Sequence, residues 1–341
     1  MKHMSNTLYV TQDECRLGKE GETILVEKAE QKLIQLPAHT IGQIVCFGVS
    51  NYVTPPLMSF CAEKGISISW LNEWGKFLGR VEGPVRGNVL LRREQYRWAD
   101  RPEKALEIAR YIVAAKVNNS RINLQRWQRS RGEADGVVGT QIEALGRMLS
   151  RIEGCKAMEH LRGLEGEAAS GYFSVFDHLI LQQKDYFKFD GRNKRPPRDP
   201  ANALLSFVYT LLALDMRSAL ETVGLDPYVG YLHVDRPGRP SLALDLMEEF
   251  RAPFADRLVL NLINLKQLQK EHFNCEGGEV LLTAEGRKTL LLAYQNRKKE
   301  VIEHPFMEEK MEIGLVFHIQ VRLLARMIRG DLDFYPAMIW R

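Results

Sequence analysis

The chain has 341 residues, of which 45% are hydrophobic and 26% are charged, a composition that excludes the disordered and fibrous classes of protein. At this length the chain can form two domains, each with a core that needs no disulfide or metal for stability. The 47 basic and 43 acidic side chains give a net charge of +4, so a nucleic-acid surface has to come from local clusters of basic residues.

The first quarter of the chain is rich in short β-forming runs, mostly bounded by glycine or polar turn residues. These runs lie at 7–10, 23–26, 41–47 and 66–70. Residues 19–22 have the composition of a hairpin turn, and the two prolines that open 55–63 predict the first turn of a helix. We expect residues 1–85 to form a small, mainly β domain.

The composition changes abruptly at the Gly-Pro-Val-Arg-Gly segment around residue 85. From Asn88 onward, helix formers with apolar residues every three or four positions dominate. A break is expected at Pro253. Helical spacing is clear for Leu106, Ala109, Val113 and Val117, and again for Leu258, Val259, Leu262 and Leu265. We expect residues 86–341 to form a larger all-helical domain, which makes the fold class α+β.

Residues 188–200 form the clearest loop in this second part, because they contain a glycine and three prolines. We expect this loop to be exposed and mobile. Its basic residues, together with the arginine- and aromatic-rich segments 92–98 and 121–129, suit contact with a nucleic-acid backbone. Arginine-rich helical faces are often simply solvated, so composition alone leaves that role open. The basic residues of the loop are Lys188, Arg192, Lys194, Arg195 and Arg198.

One carboxylate falls on the apolar face of a predicted helix. Glu165 lies in the middle of that face, whereas Glu167 points away from it. A buried, unpaired carboxylate is strongly unfavourable, so Glu165 requires a basic partner such as Arg162, a hydrogen-bond network or a metal ion. The apolar face consists of Leu161, Leu164, Ala168, Tyr172 and Phe176.

A second polar group surrounds the turn at Pro237-Gly238. Asp245 and Glu248 lie one helical turn apart on one face, and both face His233 if the turn folds back. Imidazole and carboxylate ligands suit Mg²⁺ or Mn²⁺, although the same residues also occur as ordinary polar surface. Combined with Glu165, they can hold one ion that serves phosphodiester chemistry.

The sequence also argues against several other classes of protein. The five cysteines are odd in number and lack CxxC spacing, which argues against a disulfide framework and a zinc cluster and fits a reducing cytoplasm. No apolar run approaches the ~20 residues of a membrane span, and the N-terminus does not resemble a secretion signal. Neither a nucleophile-elbow serine nor a P-loop occurs, so no nucleotide cofactor is implied. We expect a soluble cytoplasmic protein.

Four segments, in order along the chain, resemble motifs of the CRISPR-associated adaptation integrase family, Cas1. They are LRGLEGEAASGYF, RPPRDPANALLSFVYTLL, DPYVGYLHVDRPGRPSLALDLMEEFR and LTAEGRKTLLLAYQNRKK. The segments at 7–28 and 60–84 resemble the N-terminal domain of that family, most closely its subtype I-C branch. The resemblance therefore runs nearly end to end.

This resemblance implies a metal-dependent DNA endonuclease and integrase. The family joins the 3′-hydroxyl ends of a short captured DNA to a CRISPR repeat by transesterification, so that the captured DNA becomes a new spacer. The implied cofactor is Mg²⁺ or Mn²⁺, and the implied partners are double-stranded DNA, a second copy of the chain and the small companion protein Cas2.

The resemblance also assigns roles to single residues. It implies that Glu165, His233 and Glu248 are the metal ligands and that Asp245 orients the site. The family often has aspartate in place of Glu248, which leaves open whether Glu248, Asp245 or Glu249 makes the direct bond. Contacts with DNA are expected from Arg236, Arg239, Arg192, Lys194, Arg195 and Arg198.

Two other functions stay open at this point. A metal-dependent nuclease of DNA repair or branched-DNA resolution would use the same ligands and attack with water. A non-catalytic DNA-binding scaffold would use the acidic residues as structural ion pairs, and its binding to DNA would not respond to a chelator.

Overall fold

The computed structural model describes residues 6–84, 89–131, 136–193 and 196–340. In these ranges the strands are β1 (Asn6–Val10), β2 (Cys15–Glu20), β3 (Thr23–Lys28), β4 (Gln31–Pro37), β5 (Ile41–Phe47), β6 (Tyr52–Val53), β7 (Ser67–Leu71), β8 (Phe77–Val81), β9 (Phe273–Glu276), β10 (Glu279–Leu282), β11 (Val301–Glu303) and β12 (Lys310–Glu312). The helices are α1 (Pro55–Lys64), α2 (Val89–Ala99), α3 (Pro102–Arg131), α4 (Gly136–Glu153), α5 (Met158–Ser174), α6 (Pro200–Val223), α7 (Ser241–Met247), α8 (Arg257–Asn264), α9 (Ala284–Lys299) and α10 (Ile313–Ile328).

The N-terminal region contains two four-stranded sheets, in the orders β1-β5-β7-β8 and β4-β3-β2-β6. In the first sheet β1, β5 and β7 are parallel and β8 is antiparallel to β7. β2 and β3 form the hairpin whose turn was predicted at 19–22, and α1 packs against β2 and β7. The side chains of Leu17, Ile24 and Ile44 are fully buried in this region's core. The predicted β-rich region is therefore confirmed.

The helical region is organised around α3, a helix of 30 residues that packs against both α4 and α5. Ala109, Val113 and Val117 are buried, as the helical spacing predicts. The helical prediction is confirmed, and the structure adds two short antiparallel sheets to it, formed by β9 with β10 and by β11 with β12.

The two regions are packed together. The ring of Phe47 on β5 stacks on Phe207 of α6, with 5.9 Å between centroids. Arg217 of α6 lies 2.6 Å from the carboxylate of Glu82 at the end of the β region. The boundary predicted near residue 85 lies outside the described residues, so the division into domains 1–85 and 86–341 stays a prediction.

The break expected at Pro253 is wrong, because the chain stays helical from α7 to α8. A 3₁₀ turn at Glu248–Phe250 and a π-helical turn at Arg251–Asp256 join the two helices. Proline has no N–H to donate to the preceding turn, and the wider π turn accommodates that loss. Leu265, expected on the inner face, is 66% exposed just beyond α8.

Helix α6 is long and apolar enough to cross a membrane by length and composition alone. Two-thirds (67%) of the most apolar stretch of this helix is buried inside the fold. That burial is typical of a core helix, and α6 lies beneath the cleft described next.

Candidate functional site

Three sequence-predicted ligands line one cleft. Glu165 projects from α5, His233 from the loop before α7, and Glu248 from the 3₁₀ turn after α7. The cleft has a volume of about 1710 Å³. Pockets for small molecules usually measure ~300–1,000 Å³, so this cleft is larger than a typical small-molecule pocket.

A lysine that sequence reasoning missed connects the two glutamates. Lys116 Nζ of α3 contacts Glu165 Oε1 and lies 2.7 Å from Glu248 Oε2. The Lys116 side chain is only 11% exposed. Arg162, considered as a partner for Glu165, instead pairs with Glu159 and donates to the carbonyl oxygen of Leu232. The cation beside Glu165 is therefore Lys116.

His233 is held by the fully buried carboxylate of Asp245. Asp245 Oδ1 lies 2.6 Å from His233 Nδ1 and accepts the backbone N–H of His233, while Oδ2 accepts the N–H groups of Tyr231 and Leu232. Gly230 makes this wrapping possible, because a Cβ there would lie 2.8 Å from Asp245 Oδ2. The Nδ1–H group therefore points at Asp245, and Nε2 lies 4.0 Å from Glu248 Oε1.

Glu248 and Glu249 occupy opposite environments although they are consecutive. Burial raises the pKa of Glu248, but Arg251, Lys116 and His233 outweigh burial and lower that pKa to about 2. Glu249 faces away from the cleft, and burial raises its pKa to about 7 despite hydrogen bonds from Tyr335, Met338 and Gln320. Glu248 is thus the carboxylate that faces the candidate site.

The donor set suits a divalent cation. Two carboxylates and one imidazole nitrogen are ligands that Mg²⁺ or Mn²⁺ accepts, and metal-bound histidines usually donate their other ring N–H to a carboxylate, as His233 does to Asp245. Across the described ranges, no group of three or more acidic, imidazole or thiol side chains is already arranged to hold a metal ion. Lys116 Nζ lies between the two glutamates, so the residues fit an ion once that ammonium moves.

Two guanidinium groups lie against the aromatic ring of Tyr209 on α6, beside the candidate site. Arg251 lies 4.8 Å from the ring centroid and pairs with Glu248 at 3.0 Å, and Arg192 lies 5.4 Å from the same centroid. The hydroxyl of Tyr209 donates to Asp256 at 2.6 Å. Burial raises the pKa of Asp256 to about 6. Arg192, Arg251 and Tyr209 all line the cleft, so this network places two positive charges in it.

The basic residues expected to contact DNA fall into different places. Arg236 and Arg239 line the cleft, and Arg236 is exposed. Arg198 is exposed, but it is not among the described residues that line the cleft. Lys194 and Arg195 lie outside the described residues.

Arg192 contradicts the expectation of an exposed loop. Its guanidinium donates to Asn202 Oδ1 at 2.6 Å and to Ser206 Oγ at 3.1 Å. Asn202 is fully buried and also binds Asp199 and the carbonyl of Gly191. The polar start of α6 therefore anchors this part of the loop, so that Arg192 lines the cleft from a fixed position.

Only a weak sequence signal points to Lys116 and Arg251, the two basic residues of the site that sequence reasoning missed. Lys116 interrupts an apolar stretch in which Ala115 and Val117 are each 1% exposed. A cation at such a position implies a buried acidic partner, but nothing local indicates which one. Arg251 lies three residues after Glu248, a helical spacing that favours an ion pair.

Comparison with known proteins identifies relatives of the chain. A family model described as CRISPR associated protein Cas1 matches residues 8–296. A relative named CRISPR-associated endonuclease Cas1 1, from Chlorobaculum tepidum, is 48% identical over 344 aligned residues, which cover 100% of both chains. The solved structure of a Cas1 protein from Thermotoga maritima is 26% identical, with a TM-score of 0.82 over 95% of this chain and 97% of that one. A casposase bound to an integration product is 22% identical, with a TM-score of 0.86 over 98% and 94%, a likeness in fold.

Proposed function

The chain belongs to the Cas1 family of CRISPR-associated proteins, and on that premise we propose that it is a metal-dependent DNA endonuclease and integrase. Its role is to insert captured foreign DNA into a CRISPR array as new spacers. The observation that carries this proposal is the meeting of Glu165, Glu248 and His233 in one wide cleft. The relative of 48% identity is named an endonuclease, and the casposase of the same fold is bound to an integration product.

Glu165, His233 and Glu248 are the proposed ligands of a divalent ion. Asp245 fixes the tautomer of His233, so that Nε2 is the nitrogen offered to the ion. When bound, such an ion supplies positive charge that activates an attacking oxygen and stabilises a leaving one. Arg236 and Arg239 also line the cleft, and their proposed role is to bind the phosphates that flank the reacting group.

Strand transfer exchanges one phosphodiester bond for another. The 3′-hydroxyl oxygen of the captured DNA forms a bond to a phosphorus of the repeat, and the bond between that phosphorus and the repeat's own 3′ oxygen breaks. The attacking hydroxyl loses its proton and the leaving oxygen gains one, so no oxidant or external energy source is needed. Endonuclease cleavage is the same exchange with water as the nucleophile, which lets one residue set serve both reactions.

The scaffold alternative also has support in the geometry. Lys116 pairs with both glutamates, as a purely structural ion-pair network requires. Such a network does not explain why Glu165 is 26% exposed to a wide cleft, nor why Asp245 fixes a histidine that makes no ion pair closer than 4.0 Å with Glu248. These features favour the catalytic function.

The decisive experiment measures strand transfer by the full chain with its companion protein. A short duplex with free 3′-hydroxyl ends is incubated with a repeat-bearing plasmid and Mn²⁺ or Mg²⁺. We expect joined products from the wild type and a loss on the order of a thousandfold or more in Glu165→Gln and Glu248→Gln, because metal-ion charge stabilisation contributes several kcal/mol.

Glu167→Gln is the matched control for Glu165→Gln. Glu167 lies on the same helix, is exposed and pairs with Arg151, so this variant should join DNA like the wild type. DNA binding measured in EDTA should be the same in all variants. Cleavage without joining would favour the repair nuclease, and activity that survives both substitutions and EDTA would refute the metal site.

We also propose the finer properties that the resemblance implies. The protein belongs to the subtype I-C branch, acts in the cytoplasm, uses Mg²⁺ or Mn²⁺, and works as a homodimer bound to Cas2 on double-stranded DNA. Light scattering should give twice the chain mass of 39.1 kDa, and joining should be most efficient with a subtype I-C repeat. A monomer, or equal joining into unrelated repeats, would contradict these points.

A further inference from the structure

The candidate metal centre already contains a positive charge of its own. Lys116 Nζ contacts Glu165 Oε1 and lies 2.7 Å from Glu248 Oε2. These are the two carboxylates proposed to hold the divalent ion. An ammonium group and a metal ion cannot both occupy the space between them.

The backbone of Lys116 is fixed in place, whereas its side chain can move. Helix α3 is anchored by the fully buried Val113 and by Val117, which is 1% exposed, so the Lys116 backbone cannot withdraw. Lys116 itself lines the wide cleft, and its four-carbon side chain can rotate into that open space. The ammonium group therefore has a place to go when the carboxylates bind another cation.

The charges around the site show what the lysine does before a metal arrives. Glu165 and Glu248 contribute two negative charges, and Lys116 and Arg251 contribute two positive ones. Of these two carboxylates, Arg251 forms an ion pair with Glu248, at 3.0 Å, whereas Lys116 pairs with both. Without it, two adjacent carboxylates would repel each other in a partly desolvated cleft.

We propose that Lys116 is a built-in counter-cation that holds the metal-binding carboxylates together and is displaced by the divalent ion, so that it sets the metal affinity of the site. This inference rests on the proposed function, because it takes Glu165 and Glu248 as ligands. Displacement makes metal binding weaker than the carboxylates alone would allow. The released ammonium stays in the cleft, where it can bind a phosphate oxygen of the DNA.

The test is calorimetric titration of the metal-free full chain with Mn²⁺. Lys116→Met keeps an unbranched side chain only one atom shorter and removes the competing charge. We expect its dissociation constant for Mn²⁺ to be lower than that of the wild type by about tenfold or more, since one unit charge a few ångströms from the ion is removed. Lys104→Met is the matched control, because Lys104 lies on the same helix in a partly exposed pair with Glu107; its affinity should equal that of the wild type.

Thermal unfolding provides a second readout that does not depend on activity. In EDTA, Lys116→Met should melt below the wild type because its carboxylates have lost their counter-cation. Mn²⁺ should then raise its melting temperature more than it raises that of the wild type. Lys116→Gln should behave in the same way, which covers the case in which the methionine variant does not fold.

The outcomes separate this inference from the proposed function. Equal or weaker Mn²⁺ binding in both Lys116 variants, with clear binding by the wild type, would leave the metal site standing and overturn the role of Lys116. If neither the wild type nor the variants bind Mn²⁺, the metal site itself is wrong and the inference falls with it.

Discussion

The two sides of the 3₁₀ turn at Glu248–Phe250 place chemically identical side chains in contrasting surroundings. Glu248 faces three basic groups, those of Lys116, Arg251 and His233. Glu249 faces neutral donors of the C-terminal segment, namely the hydroxyl of Tyr335, the amide of Gln320 and the backbone N–H of Met338. Both carboxylates are buried, at 3% and 0% exposure.

One turn can therefore serve both function and folding. Cationic neighbours keep Glu248 ionised and ready to bind a cation. The hydrogen bonds to Glu249 come from neutral donors, which do not compensate its negative charge. Glu249 therefore links the turn to the end of the chain and takes no part in the site. A pair of adjacent acids in a sequence therefore does not identify two equivalent ligands, and each substitution below is chosen to separate the two roles.

The largest effect is expected from Glu249→Ala. It removes the acceptor of three buried donors and leaves at least the N–H of Met338 without a partner, so the free energy of unfolding should fall by about 3 kcal/mol. Glu248→Ala should cost less than Glu249→Ala, because Lys116 still pairs with Glu165 and the Arg251 side chain is 25% exposed. Urea denaturation in EDTA measures both values.

Activity should show the reverse order. Glu248→Ala should be inactive, whereas the folded fraction of Glu249→Ala should join DNA. Equal destabilisation by the two substitutions, or an inactive but fully folded Glu249→Ala, would remove the distinction between the two sides of the turn.

Asp245→Asn tests a third buried carboxylate, which acts on the site through His233. All four groups around Asp245 are donors, so an asparagine NH₂ must face one of them and the loop at His233 has to shift. We expect a loss of 10–100-fold in Mn²⁺ affinity or joining activity, the usual cost of removing the partner of a metal-bound histidine. An unchanged affinity in Mn²⁺ titrations would show that His233 does not depend on Asp245.

The sequence predicted the strongly patterned parts of the fold. The runs at 7–10, 23–26, 41–47 and 66–70 became β1, β3, β5 and β7, because hydrophobic β-formers dominate them. The other strands of the β region are very short or contain charged residues or glycine, and these features obscure the β-forming pattern. The behaviour at Pro253 was missed since sequence rules treat proline as a helix end, while here a π turn continues the helix.

At the candidate site, the acidic residues and His233 were predictable from the sequence, but the two basic residues that pair with the glutamates, Lys116 and Arg251, were missed. Glu165 stood out as a carboxylate on an apolar face, and His233 with Asp245 and Glu248 stood out by spacing around a turn. Lys116 meets Glu165 from 49 residues away, and such a contact depends on the packing of α3 against α5. Local patterns carry no information about which distant residue completes a charge network.

The most gradual expected effect is a pH dependence that distinguishes the two glutamates in metal-free buffer. The folded-state pKa of Glu249, about 7, exceeds the ordinary value of 4.5, so the folded state binds this proton more tightly. Its contribution to stability is fully present below pH 4.5 and is lost as the pH rises through 7. Glu249→Gln cannot titrate.

The free energy of unfolding of the wild type, relative to Glu249→Gln, should therefore fall by about 1 kcal/mol per pH unit between these two values. The pKa of Glu248, lowered to about 2, has the opposite sign: its contribution is present above pH 4.5 and is lost as the pH falls toward 2. The wild type relative to Glu248→Gln should thus stay constant across the window in which Glu249 titrates. Parallel curves for the two variants would mean that both carboxylates share one environment, contrary to the opposite partners that the turn gives them.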